Sequence, residues 1–473
     1  MESTIKRLER AFNPRSVAVV GDKLALGYMW LKSMAHFQGK LYSVQIDERE
    51  LPGIASLGVK NYLRLQDIPD EIDYAVIAVP NTVTPRIIRD CIDKNIGAAA
   101  LFTSGFAESG TDEGRKLQDT IAKIANDANF NLIGPNCMGI YNPRICLRHS
   151  LDQSYGRNGN VAFISQSGTH ATFFSLVGPI NGIYISKSVS YGNAAVLDST
   201  DYLEYFGSDK ETEIIGIYVE GVNDGRKFFS CLKDVARRKP VVIWKGGVGD
   251  EGGRAASSHT SSLAGSPAIW NALIKQCGAI KAENFNELID TIKMLLHAKP
   301  TIGNRVGLAA MTGGQSVVIT DAFTREGFQV PLLSEASYKK FASFFQTLGA
   351  SYRNPLDISL NFPHLERITK SIDVLSEDEN IDTVVLEISV AFMKNLSWIN
   401  TDLFDNLIKA LVDFKKRSAK SFITVSVPAH AEQEALEVKK KLVTQNIPCF
   451  SSFESSAKAL RKTIDYYQNK SSA

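Results

Sequence analysis

One long segment of small residues carries a single histidine. Between the apolar run PVVIWKGG (240–247) and the next helical pattern lies KGGVGDEGGRAASSHTSSLAGS (245–266), which contains His259. A neutral imidazole is a competent nucleophile and general base near pH 7, and long loops without regular structure are commonly functional or disordered. On such a loop the imidazole could carry a phosphoryl group from a donor to an acceptor, with Lys245 and Arg254 compensating the phosphate charge. An exposed histidine in a surface loop accounts for the same spacing equally well.

A carboxylate stands at the end of another apolar run, IIGIYVE, where Glu220 comes directly before Gly221. A carboxylate in this place could hydrogen-bond one nitrogen of an imidazole, fix its tautomer and stabilise the charged ring. The alternative is a surface acid near the N-terminus of the helical segment DGRKFFSCLKD, where negative charge is favourable in any case.

The segment SQSGTHA (165–171) joins a predicted strand to a predicted helix. Small residues there let backbone N–H groups point at an anion, and the helix that follows adds the positive end of its dipole. A serine-capped helix without a ligand gives the same pattern. Ligands of open parallel sheets bind beyond the carboxyl ends of the strands, which is where this segment falls.

Length and composition restrict the class of protein. The chain has 473 residues, of which 44% are hydrophobic and 22% charged, as expected for a soluble globular protein of about three domains. With 53 Lys and Arg against 51 Asp and Glu, the net charge is +2, which favours neither nucleic acid nor an anionic membrane as partner. No apolar run approaches the ~20 residues of a membrane span, and the start MESTIKRLERAF lacks the apolar core of a secretory signal.

The elements that must position these residues are short apolar strands alternating with helical patterns, the signature of parallel α/β folds. We predict three such domains in a row, the first with five strands and a helical segment at LGYMWLKSMAHF (26–37). HAKPTIGN (297–304) has the Pro and Gly character of a linker. The predicted strands are SVAVVG (16–21), KLYSVQI (40–46), YAVIAVP (74–80), AAALFTSG (98–105), FNLIGPN (130–136), a run from NVAFISQSG (160–168), IYISKSVSYGN (183–193), EIIGIYVEG (213–221), PVVIWKGG (240–247), RVGLAAMTGG (305–314), DTVVLEIS (382–389), SFITVSVP (421–428) and PCFSSF (448–453).

Several enzyme classes lack their motifs in this sequence. GDKLALG after the first strand is not GxGxxG, so a nicotinamide dehydrogenase is poorly supported. There is no HExxH, GxSxG or P-loop sequence, and the other histidines lack metal-ligand spacing, so no metal site is predicted. The six cysteines contain no CxxC pair, which favours reduced thiols and a cytoplasmic protein.

A series of motifs in register carries a family resemblance. They are AVIAVP (75–80), TSGFAESG (103–110), GPNCMGIYNP (134–143), VAFISQSG (161–168), SYGNA (190–194), YLEYFGSDKETEIIGIYVEGVNDGRKF (202–228), KPVVIWKGG (239–247) and SHTSSLAGS (258–266). In their order and in their residues, these motifs resemble those of the NDP-forming acyl-CoA synthetases, the superfamily that includes succinyl-CoA synthetase. Within it the chain is most similar to the α-type part of the ADP-forming acetate–CoA ligases, with a weaker likeness after about residue 370.

The resemblance implies an α/β fold of three consecutive domains. These are a Rossmann-like CoA-binding domain (1–145), a succinyl-CoA-ligase-like flavodoxin domain carrying the histidine loop (146–299) and a second flavodoxin domain of that type (300–473). It also implies an acid–thiol ligase reaction, in which acyl-CoA and phosphate give an acyl phosphate whose phosphoryl group passes to a histidine and then to ADP.

The same resemblance assigns roles to residues. His259 matches the phosphorylated histidine, Glu220 matches the glutamate that supports it, and the phosphate cradle comprises Ser165, Ser167, Gly168 and Thr169. CoA contacts are expected from the loops that follow the strands of the first domain, at Gly21, Lys23, Val79, Pro80, Thr103, Ser104, Gly105, Pro135, Asn136 and Cys137.

The sequence departs from the family pattern at four places. Gly21-Asp22-Lys23 replaces a turn of small residues, and Val44-Gln45-Ile46-Asp47-Glu48 replaces a Val-Asn-Pro segment with basic neighbours. Acids in these places are expected to weaken binding of a polyanion such as CoA. His170 stands where a small residue is usual, and Ser261 replaces a glycine of the histidine loop.

The resemblance also implies a partner. The family's ATP-grasp module is not in this sequence, so Mg-ADP or Mg-ATP would bind only through an ATP-grasp-type β subunit, in a hetero-oligomer such as α2β2. The substrate would be a small carboxylic acid or its acyl-CoA. The alternative is a non-catalytic regulatory protein that binds CoA or acyl-CoA on the same scaffold. The pair His259 and Glu220 favours the enzyme, and the altered turn at Asp22 favours the regulator.

Overall fold

The computed structural model describes residues 3–249, 251–252, 266–392 and 403–471. Within these ranges the chain forms three sheets whose strands are joined mainly by helices. It divides into two compact units, Met1–Pro179 with Tyr184–Glu283, and Ile180–Ile183 with Asn284–Ala473. The first two sheets belong to the first unit and the third sheet to the second unit, and the α/β fold class predicted from the sequence is confirmed.

The first sheet is parallel throughout, with the strand order β3-β2-β1-β4-β5-β6. Its strands are β1 (Ser16–Val20), β2 (Lys40–Val44), β3 (Lys60–Tyr62), β4 (Tyr74–Ile77), β5 (Ala98–Leu101) and β6 (Leu132–Ile133). After β1 the chain adds β2 and β3 on one side of the sheet, and after β4 it adds β5 and β6 on the other side. The neighbouring strands β1 and β4 therefore form a topological switch point, where ligands of such sheets bind. The prediction of five strands was wrong by one, because β3 is a short edge strand without an apolar run.

The second sheet is parallel except at one edge, with the order β12-β11-β10-β8-β9-β7. Its strands are β7 (Gly139–Tyr141), β8 (Val161–Ser165), β9 (Ile185–Ser190), β10 (Ile214–Val219), β11 (Val241–Lys245) and β12 (Ile280–Ala282). β7 pairs antiparallel with β9, so the chain joins the second sheet before residue 145. The domain boundaries at 145/146 and 299/300 stay predictions.

The third sheet is parallel, with the order β14-β13-β15-β16-β17. Its strands are β13 (Val306–Ala310), β14 (Leu356–Asp357), β15 (Thr383–Glu387), β16 (Ser421–Val425) and β17 (Cys449–Phe450). Four of them fall in predicted strands. β14 was not predicted, because Leu356-Asp357 follows Pro355 and does not lie in an apolar run.

The described residues include sixteen α-helices. They are α1 (Thr4–Phe12), α2 (Met29–Ser33), α3 (Leu51–Ser56), α4 (Thr84–Asp93), α5 (Asp112–Asp127), α6 (Gly168–Ile180), α7 (Ser199–Ser208), α8 (Gly225–Arg238), α9 (Pro267–Cys277), α10 (Phe285–His297), α11 (Gly313–Arg325), α12 (Glu335–Ala342), α13 (Leu365–Glu377), α14 (Leu403–Arg417), α15 (Glu432–Thr444) and α16 (Phe453–Ser471). Short 3₁₀ helices occur at Leu24–Leu26, Leu65–Asp67, Asn81–Val83, Ala107–Ser109, Pro143–Ile145 and Ser359–Asn361.

The segment after β1 is not the continuous helix predicted over 26–37. The 3₁₀ helix Leu24–Leu26 ends at Gly27, and α2 spans only Met29–Ser33. Gly27 (φ 67°) and Tyr28 (φ 54°) are both in the left-handed region, which a right-handed helix cannot contain. The periodicity of the sequence did not reveal this break.

One hydrophobic core joins the two sheets of the first unit. It includes Val19 and Tyr74 from the first sheet together with Ile164 and Ile217 from the second. Phe12 of α1 stacks on a tyrosine of α7 with ring centroids 4.6 Å apart. Because closely packed interiors deform little, this shared core fixes the loops of the first sheet relative to those of the second.

None of the helices in the described part of the chain is both long enough and apolar enough to cross a membrane.

Candidate functional site

The segment between β8 and α6, here called the β8–α6 turn (165–169), is organised by its two serines. The hydroxyl of Ser165 donates to the carbonyl of Ser167 (2.7 Å) and accepts from the Ser167 N–H (3.2 Å). The hydroxyl of Ser167 accepts from the backbone N–H of His170 (3.3 Å). The first N–H groups of a helix have no partner within it, so Gly168 and Thr169 present their amides at the positive end of α6. The turn has the donors for an anion, while Ser165 is buried and shapes the turn.

A cavity of about 370 Å³ lies at this turn, and we call it the β8–α6 cavity. It brings the predicted phosphate residues Ser167, Gly168 and Thr169 together with Asn136 and Cys137, predicted from the first domain to contact CoA. The remaining lining residues were not predicted; they are Phe102, Met138, Gln166, Thr172 and Phe173. The cavity therefore lies where both predicted ligands, phosphate and the acyl end of CoA, would meet.

The unpredicted lining residues had weak signals in the sequence. Phe102 directly follows β5, at the ligand-binding edge of its sheet. Thr172 and Phe173 lie four residues after Gly168 and Thr169, which puts each pair on the same side of a helix. The spacing could have indicated these helical neighbours, whereas the participation of Met138 depends on how the chain crosses between the two sheets.

Glu220 is buried, with 5% of its surface exposed, directly after the end of β10. The hydroxyl of Tyr218 donates to its Oε1 (3.0 Å). The side-chain oxygen of Gln166 accepts from the backbone N–H groups of Glu220 (2.7 Å) and Gly221 (3.1 Å). Through these two hydrogen bonds, Gln166 connects the end of β10 to the β8–α6 turn. The interpretation of Glu220 as a surface acid was wrong, and Asp224 caps α8 instead.

The charge of Glu220 changes the titration of its neighbours. Burial raises the pKa of the Tyr218 hydroxyl well above its usual range, and the negative charge of Glu220 raises it further. Lys245, the last residue of β11, is also buried, and this burial lowers the pKa of its ammonium group while Glu220 opposes the shift. The Lys245 Nζ lies 5.4 Å from the ring centroid of Trp270. A carboxylate and an ammonium group therefore share the carboxyl edge of this sheet.

His170 is accommodated in an aromatic cluster. Its ring centroid lies 4.4 Å from that of Tyr218 and 4.6 Å from that of Trp244. The side chain is not among those that line the β8–α6 cavity. The His170 side chain, which stands where the family has a small residue, therefore fills space between α6 and the sheet and leaves the cavity open.

Three residues singled out in the sequence, His259, Arg254 and Ser261, lie outside the residues that the structure describes. Their roles stay predictions from the sequence.

The loops predicted to contact CoA lie together at the carboxyl edge of the first sheet. The hydroxyl of Thr103 donates to the carbonyl of Val79 (2.6 Å). The backbone N–H of Asn136 donates to the carbonyl of Thr103 (3.0 Å). Asn81 donates from its side-chain amide to the carbonyl of Gly105 (2.9 Å). These bonds connect the segments after β4, β5 and β6. Of the residues predicted to contact CoA, only Asn136 and Cys137 line the β8–α6 cavity. The predicted CoA residues that do not line it are Gly21, Lys23, Val79, Pro80, Thr103, Ser104, Gly105 and Pro135.

Asp22 does not present its charge to a ligand. It is fully buried and its carboxylate accepts from the backbone N–H groups of Lys23 (3.0 Å), Trp30 (3.1 Å) and Leu31 (2.9 Å). Burial raises the pKa of this carboxyl group, while those three hydrogen bonds act in the opposite direction. Asp22 holds the start of α2, so it gives no reason to expect repulsion of CoA at this turn.

The second acidic departure is compensated by a neighbouring arginine. Arg49 forms an ion pair with Asp47 (2.6 Å between Nη2 and Oδ2) and lowers the pKa of that carboxyl group to about 2. The pair is exposed at the end of β2. Of the three acids that distinguish this chain from the family pattern, Asp22 is a helix cap, Asp47 is one member of an ion pair and Glu48 is exposed.

Cys137 is positioned at the cavity but is not activated. Burial raises the pKa of its thiol to about 12, and the thiol donates to the carbonyls of Leu101 and Ile133, each 3.5 Å away. Because the thiolate is the nucleophile, Cys137 stays a neutral wall residue at physiological pH.

Gly21 is required at the end of β1. Its φ is 87°, and a Cβ there would lie 2.7 Å from Cγ1 of Val79 and 3.0 Å from the carbonyl oxygen of Ala78. We expect Gly21→Ala to lower the free energy of unfolding by about 1–3 kcal/mol and to weaken CoA binding, since the loops after β1 and β4 must separate. Chemical denaturation and calorimetric titration with CoA measure the two effects.

The matched control for this substitution is Gly27→Ala. Gly27 has a similar φ of 67°, but a Cβ there meets no atom within 4 Å. It should show the cost of the backbone conformation alone and leave CoA affinity unchanged. Equal effects of both variants on CoA affinity would contradict the requirement for close approach at Gly21.

Among the described residues, no group of three or more His, Cys, Asp or Glu side chains is arranged to hold a metal ion.

Comparisons with known proteins identify two domain families in this chain. The CoA binding domain family matches residues 15–143, and the succinyl-CoA ligase like flavodoxin domain family matches residues 158–295. These two matches define a protein of the succinyl-CoA-ligase-like class, with a CoA-binding domain before a flavodoxin-like domain.

Relatives narrow the class to one family. Over 466 residues the chain is 31% identical to ADP-forming acetate–CoA ligase II subunit alpha of Pyrococcus furiosus, covering 98% of each chain. It is 37% identical over 381 residues to ADP-forming acetate–CoA ligase I of Archaeoglobus fulgidus, covering 80% of this chain but 54% of that relative. The chain thus spans about half the length of some curated relatives. It belongs to the family of the ADP-forming acetate–CoA ligases.

A solved structure has the same fold over nearly the whole chain. It is that of the dinucleotide forming acetyl-coenzyme A synthetase 1 of Ca. Korarchaeum cryptofilum in complex with phosphate and ADP. The TM-score is 0.83 at 29% sequence identity, with 98% of this chain and 97% of that chain covered.

Proposed function

We propose that this chain is the α-type subunit of an ADP-forming acyl-CoA synthetase, which interconverts acyl-CoA, phosphate and ADP with a carboxylic acid, CoA and ATP. The observation that carries the proposal is the β8–α6 cavity, where an anion-binding turn meets the CoA-side residues Asn136 and Cys137. Neither feature alone specifies acyl transfer, but phosphate and a thioester must meet for an acyl phosphate to form.

In the first step, phosphate held by the amides of Gly168 and Thr169 attacks the carbonyl carbon of the thioester. A C–O bond forms, the C–S bond breaks, and the CoA thiolate leaves and takes up a proton. The positive end of α6 stabilises the negative charge on the attacking phosphate and on the acyl phosphate that results. The uncharged Cys137 thiol takes no part in this chemistry.

In the second step, a ring nitrogen of His259 attacks the phosphorus of the acyl phosphate. An N–P bond forms, the bond between phosphorus and the acyl oxygen breaks, and the carboxylate leaves. Glu220, fixed by Tyr218 and by the contacts of Gln166 to its backbone, stabilises the positive charge that develops on the imidazole. The phosphoryl group then passes to ADP.

We assign CoA to the carboxyl edge of the first sheet. The close approach of Gly21 to the loop after β4 leaves no room for a side chain, as expected where a backbone must come near a ligand. Burial takes Asp22 off the surface that CoA would meet, and Arg49 compensates the charge of Asp47, which leaves Glu48 as the exposed acid of the two altered segments. The altered turn therefore no longer favours the regulatory alternative.

The nucleotide is bound by a second polypeptide. The relatives named as alpha subunits are parts of larger enzymes by name, and we assign an ATP-grasp fold and the Mg-ADP site to a β subunit that joins this chain in a hetero-oligomer. We place the complex in the cytoplasm, because all six cysteines are free thiols and such thiols persist in reducing compartments.

The purified chain alone should not form ATP from acyl-CoA, phosphate and ADP. Phosphoryl transfer to ADP needs a site that neutralises the charge of the transferred group, and the sequence has no P-loop. The measurement is ATP formation by the chain with and without its β subunit, whose reading frame we expect beside that of this chain. ATP formation by the chain alone would contradict the assignment, whereas CoA release from acyl-CoA and phosphate by the chain alone would support the first step.

A further inference from the structure

Tyr218 and Glu220 lie on one face of the second sheet, because side chains two residues apart on a strand point to the same side. Trp244 of β11 pairs with Tyr218 and shares this face. The centroids of the two rings are 4.5 Å apart, with an interplanar angle of 60°. A Cβ at Gly246 would lie 2.5 Å from the hydroxyl oxygen of Tyr218. The hydroxyl that donates to Glu220 therefore occupies a place that is open only because residue 246 is a glycine.

His170 of α6 completes a cluster of three rings. Its imidazole contacts both Tyr218 and Trp244, with the closer centroid, that of Tyr218, at an interplanar angle of 65°. Each of the three rings thus packs against the other two. Ring pairs of this geometry are favourable, and closely packed groups have little room to move. The imidazole therefore restricts the Tyr218 ring to the position from which its hydroxyl reaches Glu220.

The backbone of His170 belongs to the other half of the proposed site. Its N–H donates to the hydroxyl of Ser167 in the β8–α6 turn (3.3 Å). The same residue thus contacts the turn through its backbone and the support of Glu220 through its ring. The family resemblance places a small residue at this position, which has no ring to contribute. The connection between the turn and Tyr218 through an imidazole is therefore a feature of this chain.

We propose that His170 is a positioning residue, which acts through Tyr218 to fix the carboxylate of Glu220 relative to the β8–α6 turn. The assignment rests on the proposed function, in which phosphate reacts at the turn before the phosphoryl group passes to His259. A group that stabilises developing charge must already be in place when the charge appears. Loss of the His170 ring should therefore slow phosphorylation of His259, whereas formation of the acyl phosphate needs only the amides of the turn.

The test measures the two steps separately in the intact chain with acetyl-CoA and phosphate. CoA release is followed as free thiol in a single turnover, and phosphorylation of the loop peptide is followed by rapid quench. His170→Ala keeps the backbone N–H and removes the ring; we expect phosphorylation about tenfold slower, with CoA release within about twofold of the parent. His170→Phe keeps a ring in the cluster and should restore most of the phosphorylation rate.

A double variant tests the route through Tyr218. Tyr218→Phe removes the hydroxyl that donates to Glu220, so adding His170→Ala to it should slow phosphorylation no further, since both changes act on one hydrogen bond. The matched control is Tyr205→Phe on α7. It removes another buried hydroxyl that donates to a glutamate, in this case Glu9 (2.7 Å), and should leave both steps unchanged.

The outcomes separate this role from the proposed function. A parental phosphorylation rate in His170→Ala, or losses that multiply in the double variant, would overturn the positioning role and leave the proposed function intact. Equal loss of both steps, with a lowered melting temperature, would show a structural role only and would also overturn it. The same loss in His170→Phe as in His170→Ala would exclude ring packing as the cause. No CoA release by the parent protein would overturn both proposals.

Discussion

His259→Ala should abolish net acyl-CoA synthesis in the complex with the β subunit, by a factor on the order of 10³ or more, because it removes the nucleophile that receives the phosphoryl group. In the parent protein, incubation with acyl-CoA and phosphate should phosphorylate the peptide that contains His259. The phosphoramidate should be labile in acid and stable in alkali. Mass spectrometry of the loop peptide and the rate of ATP formation are the two measurements.

The matched control is His430→Ala. His430 is an exposed histidine after β16, in the other compact unit, and should be dispensable. His430→Ala should keep the parental melting temperature, since substitutions at exposed positions change stability little, and a melting curve of His259→Ala checks that this variant folds. Parental activity in His259→Ala, or a phosphorylated residue elsewhere in the chain, would contradict the assignment.

Glu220→Gln should slow the phosphorylation of His259 by about 10²–10³-fold. The substitution removes a buried negative charge that, in our proposal, stabilises the imidazole of His259 when it becomes positive in the transition state. The amide oxygen of glutamine can still accept the hydrogen bond from Tyr218, so the geometry of the end of β10 should persist. Rapid-quench measurement of the phosphorylated peptide reports this step directly.

A second readout separates a role in this step from a structural role. CoA release in the first step should change much less than phosphorylation, because in our proposal the phosphate and the thioester meet at α6 rather than at Glu220. Glu204→Gln, at an exposed position on α7, is the control for loss of a carboxylate. If phosphorylation in Glu220→Gln proceeds at the parental rate, the buried carboxylate only stabilises the fold.

The proposed catalytic residues outside the histidine loop could be predicted from the sequence because they follow the ends of strands. Apolar runs such as those of β8 and β10 are buried on both faces, and that pattern reveals a parallel strand. Where such a run ends, the next residues must lie at the ligand-binding edge of the sheet. Glu220 and the β8–α6 turn were found in this way. The histidine loop was found by its composition and by the family resemblance, and its placement stays a prediction.

Four short strands were not predicted, whereas the equally short β6 and β17 lie in apolar runs and were. β3, β7, β12 and β14 contain three, three, three and two residues, and their pairing depends on neighbours far away in sequence. β7 in particular takes its place from β9, with Ile140 opposite Val189. The same antiparallel pairing places Met138 at the start of α6. One wall of the cavity therefore depends on a strand pairing that the periodicity of the sequence does not reveal.

The orientation of the Asp22 side chain could not be predicted from the sequence either. Its type and its position after β1 indicated a negative charge facing CoA, whereas the fold turns the carboxylate inward to three backbone N–H groups. Sequence determined the three α/β sheets, the strand ends and the residue types available for phosphoryl transfer, because these follow from local hydrophobic patterning. The tertiary structure decided which side chains share a cavity, since residues 102, 138 and 173 meet only when two sheets pack on one core.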